Sequence, residues 1–329
     1  MIRQGIRVRR SRAYSILAVA VLCGVLLSAC GSQRNPTAQD LSPVPSERAI
    51  TDISVPTAPI STAPRPAATT TVTPDPALCP YPASGFDCDF QRRFAAVQAY
   101  VATRPGTVGI VVRDRQTGAV WRNNYADTMV WTASTIKLAM TVDLFLRDRA
   151  GTISLTSADR DLIQRMLHSS DDDAADTLWF KYAGADHMTF NNDFPGYGLT
   201  SLSPKRGYTH YFPYWGFQKC TPNDLDRLVD YVLTKLPAST RDYIVDQLMH
   251  VDPDQQWGVW GAGPAALPGN KDGWSLEDTG QVMNTVGWVG PDHRYTLAVM
   301  NSLNGHGGYT DGRTTDSEVA KLLFAGRTL

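Results

Sequence analysis

The chain has no surplus of positive charge: 31 Lys and Arg face 32 Asp and Glu across 329 residues. Residues 1–30 hold five arginines and no acid, so beyond them 26 basic residues face the same 32 acids. Nucleic-acid binding needs concentrated positive charge, and this balance excludes it. Also missing is an apolar run of the ~20 residues that a spanning helix requires. Cysteine is scarce, at five residues, and none of the six histidines sits in a catalytic motif. That leaves Cys220 without the partner a nucleophilic cysteine wants. Core-forming residues are not scarce. At 43% hydrophobic, the chain is excluded from wholesale disorder and from collagen-like structure.

The N-terminus reads as an address. Arginines 3, 7, 9, 10 and 12 precede a run of twelve apolar residues, 16–27, the length of a signal-peptide core. Leu27-Ser28-Ala29-Cys30 then resembles a bacterial lipobox, in which cleavage before Cys30 exposes a thiol for lipidation. Residues 1–29 are thus expected to be a lipoprotein signal peptide. Residues 31–78 contain no aromatic side chain and nine of the 21 prolines. Such a segment cannot bury enough apolar surface to offset its ordering entropy. Residues 30–78 therefore read as a lipidated cysteine and a disordered tether. The expected location is the outer face of the cell membrane. Outside the cytoplasm, a Cys79–Cys88 disulfide closing a short loop is expected. Cys220 reads as a small buried hydrophobe.

Residues 79–329 are expected to form one domain. Phe90, Phe94, Val97 and Val101 at 3–4 spacing predict a helix over 89–103. Strands are expected at 108–113 and 120–125, followed by helices near 134–148, 157–168, 172–183, 222–235 and 239–250. Strands return at 270–274, 281–289 and 295–300, before a closing helix at 314–325. This order predicts an α/β (α+β sandwich) architecture: an antiparallel sheet built from both ends of the chain, flanked by helices, with an all-helical lobe inserted.

Three clusters carry possible chemistry. In Ser134-Thr135-Ile136-Lys137, spacing i, i+3 on a helix sets a hydroxyl and an amine on one face. A serine in the first turn also meets the positive helix end. In His168-Ser169-Ser170-Asp171-Asp172-Asp173, acids fall where a helix start welcomes them. Three successive carboxylates point in different directions, so no metal is expected there. Gly269-Asn270-Lys271-Asp272-Gly273-Trp274 leads into a late strand.

Together these clusters resemble the motif set of the active-site serine β-lactamases and penicillin-binding D,D-peptidases: Ser-x-x-Lys, Ser-Asp-Asn and Lys-Thr-Gly, in that order. Ala174-Ala175 and the Trp274 that follows Gly273 resemble the class A-like branch. The resemblance implies the β-lactamase/D,D-peptidase fold, with Ser134 as nucleophile and Lys137 as its general base. It further implies Ser170 as a proton relay, Lys271 as positive charge for a substrate carboxylate, and the N–H groups of Ser134 and Trp274 as an oxyanion hole. Asp172, Asp272, Gly273 and Trp274 would line the substrate site. No cofactor is implied.

Two positions depart from the family's pattern. Asp172 stands for Asn, exchanging a group that donates and accepts for one that only accepts. Asp272 stands for Thr beside Lys271. In addition, class A enzymes activate the deacylating water with a glutamate after the second motif, and between Asp176 and Thr221 there is none. Asp186 and Asp193 are the acids that remain there. Efficient class A β-lactam hydrolysis is therefore not expected. Two functions follow: a lipid-anchored serine acyl-hydrolase acting on peptidoglycan-type peptides or another amide or ester, or a non-catalytic envelope lipoprotein using the fold as a binding module. The expected partners are the membrane, through Cys30, and peptidoglycan or small envelope molecules, with the chain monomeric.

Overall fold

The computed structural model describes residues 85–329, apart from residue 208. The signal peptide, Cys30, the tether and Cys79 lie outside the described residues. The element order is α1 (Cys88–Val101), β1 (Thr107–Asp114), β2 (Val120–Arg122), β3 (Val130–Trp131), α2 (Ile136–Arg149), α3 (Ser157–His168), α4 (Asp172–Tyr182), α5 (Thr189–Asp193), β4 (Ser203–Pro204), β5 (Gln218–Cys220), α6 (Pro222–Thr234), α7 (Ala238–Met249), β6 (Gly269–Glu277), β7 (Gly280–Val289), β8 (Tyr295–Ser302) and α8 (Tyr309–Phe324).

Helix starts follow from local chemistry. The Asp87 carboxylate accepts from Phe90 N at 2.9 Å and caps α1. Thr156 with Asp159, and Thr221 with Asp224, form reciprocal capping boxes on α3 and α6, and Pro222 takes the first position of α6. Strands β6 to β8 form two successive antiparallel hairpins, with Asp272 paired to Thr285 and Thr285 to Val299. The five-stranded sheet runs β2-β1-β8-β7-β6. Strand β1 pairs along its whole length with β8, so the two ends of the domain meet at the centre of the sheet. Strand β6 is an edge.

Each face of the sheet carries a core. On one face Val111, Val286, Ala298 and Met300 pack beneath the helical lobe, with Leu138, Met140, Trp179 and Leu228. On the other, Ile110, Val112, Leu297 and Val299 pack against Phe90 and Phe94 of α1 and Val319 and Leu323 of α8. Burying each such side chain contributes about 1.5–3 kcal/mol. Cys220 is wholly buried and free, its Sγ 3.9 Å from Met300 Sδ. Cys88 is disulfide-bonded. Among the described residues, no helix is long and apolar enough to cross a membrane.

The expected elements are present, with shifts at their ends. The strand expected at 120–125 stops at Arg122, and the helix expected from 134 begins as a 3₁₀ turn over Ala133–Thr135 before α2. Short α5 and the three-stranded sheet β3-β5-β4 were not expected. Strands of two or three residues carry no usable period.

Candidate active site

Ser134 lies in the tight turn between β3 and α2. Ala133 before it has φ 45°, an uncommon conformation for a residue with a Cβ. Two anchors hold the turn. Asn284 on β7 donates from Nδ2 to Trp131 O at 2.8 Å and Thr132 O at 3.1 Å. Gly273 on β6 presses against it so closely that a Cβ there would lie 2.8 Å from Ser134 N and 2.7 Å from Thr135 N. Glycine is required at this position because of that approach. The third motif thus reaches the first through backbone contact, with Trp274 next along the strand.

The second motif sits between α3 and α4. Ser170 has φ 59° and is buried. The three acids that follow it diverge. Asp171 caps α4 by accepting from Ala174 N at 2.9 Å, Asp172 pairs with Lys137, and Asp173 faces solvent. Among the described residues, no group of three or more His, Cys, Asp or Glu side chains is arranged to hold a metal.

Two buried lysines converge on Ser170. Lys271 Nζ donates to Ser170 Oγ at 2.9 Å and to Asp272 O at 2.8 Å. Lys137 Nζ donates to Ser170 O at 2.6 Å, lies 3.5 Å from Ser170 Oγ, and makes a close ion pair with Asp172 Oδ1. It also sits 4.6 Å from the centre of the Trp215 ring. Burial pushes Lys137 below the ordinary lysine value, and Asp172 opposes that shift. Burial, then the neighbouring Lys137 charge, lowers Lys271 to about 7. The Ser134 hydroxyl makes no hydrogen bond among the described residues.

Asp272 does not line the substrate site, contrary to expectation. Alternation along β6 puts it on the opposite face of the sheet from Lys271, only 1% exposed and beside Thr285. Burial raises its carboxyl to about 8; Thr285 and Asn270 act to lower it but close no hydrogen bond of normal length to it. Buried Asp316 on α8 is raised as well, first by burial and further by the proximity of Asp272. Asp272 therefore lies beside Lys271 in sequence but forms no ion pair with it.

Above Ser134 opens a cleft of about 950 Å³. Ser134, Asp172 and Trp274 line it, as do Trp131, Tyr214 and Trp215. Its acids are Asp172, Asp176, Glu277 and Asp278, while Asp186 and Asp193 do not reach it. Asp176 Oδ1 accepts from Tyr214 OH at 2.5 Å and Trp215 Nε1 at 2.6 Å, fastening the aromatic segment to α4. Of that segment, Trp215 is core-packed and Tyr214 half-buried, so the aromatic run both fills the core and walls the cleft. Asn284 and Asp176 were not singled out from sequence. Asp176 lies i+4 from Asp172, a helical spacing that points it to the same side. Nothing local marks Asn284.

The Beta-lactamase enzyme family matches at residues 92–158. The lipoprotein LppW of Mycobacterium tuberculosis is 27% identical over 263 residues, covering 77% of this chain and 80% of that protein. A β-lactamase from Chitinophaga pinensis superposes with a TM-score of 0.61 at 17% identity, covering 71% of this chain and 98% of that one. A β-lactamase from Streptosporangium roseum gives 0.57 at 17% identity, covering 71% and 97%. The chain has the class A β-lactamase-like fold, and it is similar to the serine β-lactamases and to a mycobacterial lipoprotein.

Proposed function

We propose that this chain is a lipid-anchored envelope serine hydrolase that works through an acyl-enzyme on Ser134, cleaving an amide or ester of peptidoglycan-peptide type, and that it is not an efficient β-lactamase. The observation that carries the reading is the packing of Gly273 on the Ser134 turn. It sets the backbone of the 273–274 strand against the Ser134 amide beside the cleft, which supports an oxyanion hole made by the Ser134 and Trp274 N–H groups. Ser170 and two lysines supply a proton path beside it. Against rapid deacylation of a β-lactam stands the segment between Asp176 and Thr221, which brings no carboxylate to the cleft. The anchor would be Cys30 and the location the outer face of the membrane, a reading supported by the lipoprotein name of the mycobacterial relative.

A second reading, a non-catalytic binding module, is favoured by one observation: Asp172 engages Lys137, and the Ser134 hydroxyl is left without a base in contact. Intact-mass analysis after incubation with a fluorophosphonate and, separately, a penicillin distinguishes the two. The hydrolase reading expects a fluorophosphonate adduct that disappears in Ser134→Ala, and a weak or absent penicillin adduct. No adduct from either reagent on folded protein would leave the binding module standing.

A further inference from the structure

We propose that the proton of Ser134 is taken up by Lys271 through Ser170, and that Asp172 withholds this role from Lys137. The proposal rests on the acyl-enzyme reading above. A base must offer a lone pair, and the two lysines differ in what they touch. Lys137 donates to a carboxylate and a carbonyl at once, and the adjacent Asp172 anion, itself exposed, favours the charged form of the lysine. Lys271 has no carboxylate within ion-pair distance among the described residues. Its partners are a backbone carbonyl and the Ser170 hydroxyl, and a neutral amine satisfies both, donating to Asp272 O and accepting from Ser170 Oγ.

The charged groups that act on Lys271 are Lys137 from α2, Asp172 from α4, Asp254 from the turn at Pro253–Gln255 and, from the opposite face of its own strand, Asp272. Burial and the Lys137 cation outweigh the three acids, so the neutral amine is populated near neutral pH. In the step itself, Ser134 Oγ turns onto Ser170 and bonds to the substrate carbonyl carbon. Its proton passes to Ser170 Oγ as the Ser170 proton passes to Lys271 Nζ. When the scissile C–N or C–O bond breaks, the same chain returns the proton to the departing amine or alkoxide. Water then bonds through oxygen to the acyl carbon, the ester bond to Oγ breaks, and a water proton restores the Ser134 hydroxyl.

The test is the rate of fluorophosphonate labelling of the full chain, followed by intact mass from pH 5.5 to 9. In wild type the rate is expected to rise through about pH 7, the Lys271 value. Lys271→Arg, which keeps N–H donors but stays charged and cannot serve as a base, is expected to lose about 100-fold and to flatten that rise. Lys137→Arg is expected to lose about 10-fold while keeping the rise. Adding Asp172→Asn to Lys271→Arg frees Lys137 and is expected to restore labelling, which also shows that the Arg variant folds. A flat profile in Lys137→Arg with an intact rise in Lys271→Arg overturns the proposal and leaves the acyl-enzyme reading in place, as do equal losses in both. Wild-type protein that never labels at Ser134 overturns the acyl-enzyme reading and this proposal together.

Discussion

A β-carbon at position 273 would fall inside contact distance of three backbone atoms of the Ser134 turn. Neither the turn, anchored by Asn284, nor the strand can yield cheaply. Gly273→Ala is therefore expected to destabilise the domain by about 1–3 kcal/mol and to reduce Ser134 labelling about 100-fold, read by urea unfolding and probe mass. The stability term alone, with labelling unchanged, would show that the contact has no part in the site. Asp272 makes a different prediction. Its folded value lies above its unfolded one, so the folded state binds the extra proton and stability falls as pH rises from about 4 to about 8. Asp272→Asn removes that loss. The variant should be more stable than wild type by about 2 kcal/mol at pH 8, with the gap shrinking toward pH 5, in paired thermal or urea melts. A constant gap across that range would mean that Asp272 titrates as an ordinary carboxylate.

Among the elements, α4 has the most tasks. Its cap is Asp171, its first turn engages Lys137 through Asp172, and its next turn holds the aromatic wall through Asp176. Two charge-assisted hydrogen bonds end on one Asp176 oxygen. Asp176→Ala should cost about 2–4 kcal/mol and open the segment around Lys205 and Arg206 to trypsin. Unchanged proteolysis would show that Trp215 stays seated by its core packing alone. The α4 start also illustrates how far local sequence reaches. An acidic helix start was legible because caps act over three residues. Which acid would cap, which would face solvent and which would meet Lys137 was not, because the last contact joins residues 35 positions apart.

Across the whole molecule, the meeting of β1 with β8 makes the fold dependent on both ends of the domain. Helix α8 buries Val319, Ala320, Leu323 and Phe324 over one face of the sheet. At about 1.5–3 kcal/mol for each larger apolar side chain, their sum approaches the 5–15 kcal/mol that holds an entire domain together. Deleting residues 309–329 is expected to abolish cooperative unfolding, seen as a featureless thermal scan. A retained sharp transition would mean that the face finds other cover.

Periodicity, capping residues and turn signals act between near neighbours, and from them the order of the longer elements, the antiparallel sheet and the helical lobe were legible, while the three motifs were legible through their resemblance to a known family's. The opposite faces of Lys271 and Asp272 were legible in principle too, since strand alternation is a local rule. The tertiary structure alone decided the rest: the Lys137–Asp172 pair, the Lys271–Ser170 contact, the Asp176 anchor and the cleft itself. Each of these joins side chains from separate elements, and each depends on burial, which sets the charge a lysine keeps and is a property of the packed molecule rather than of any stretch of its chain.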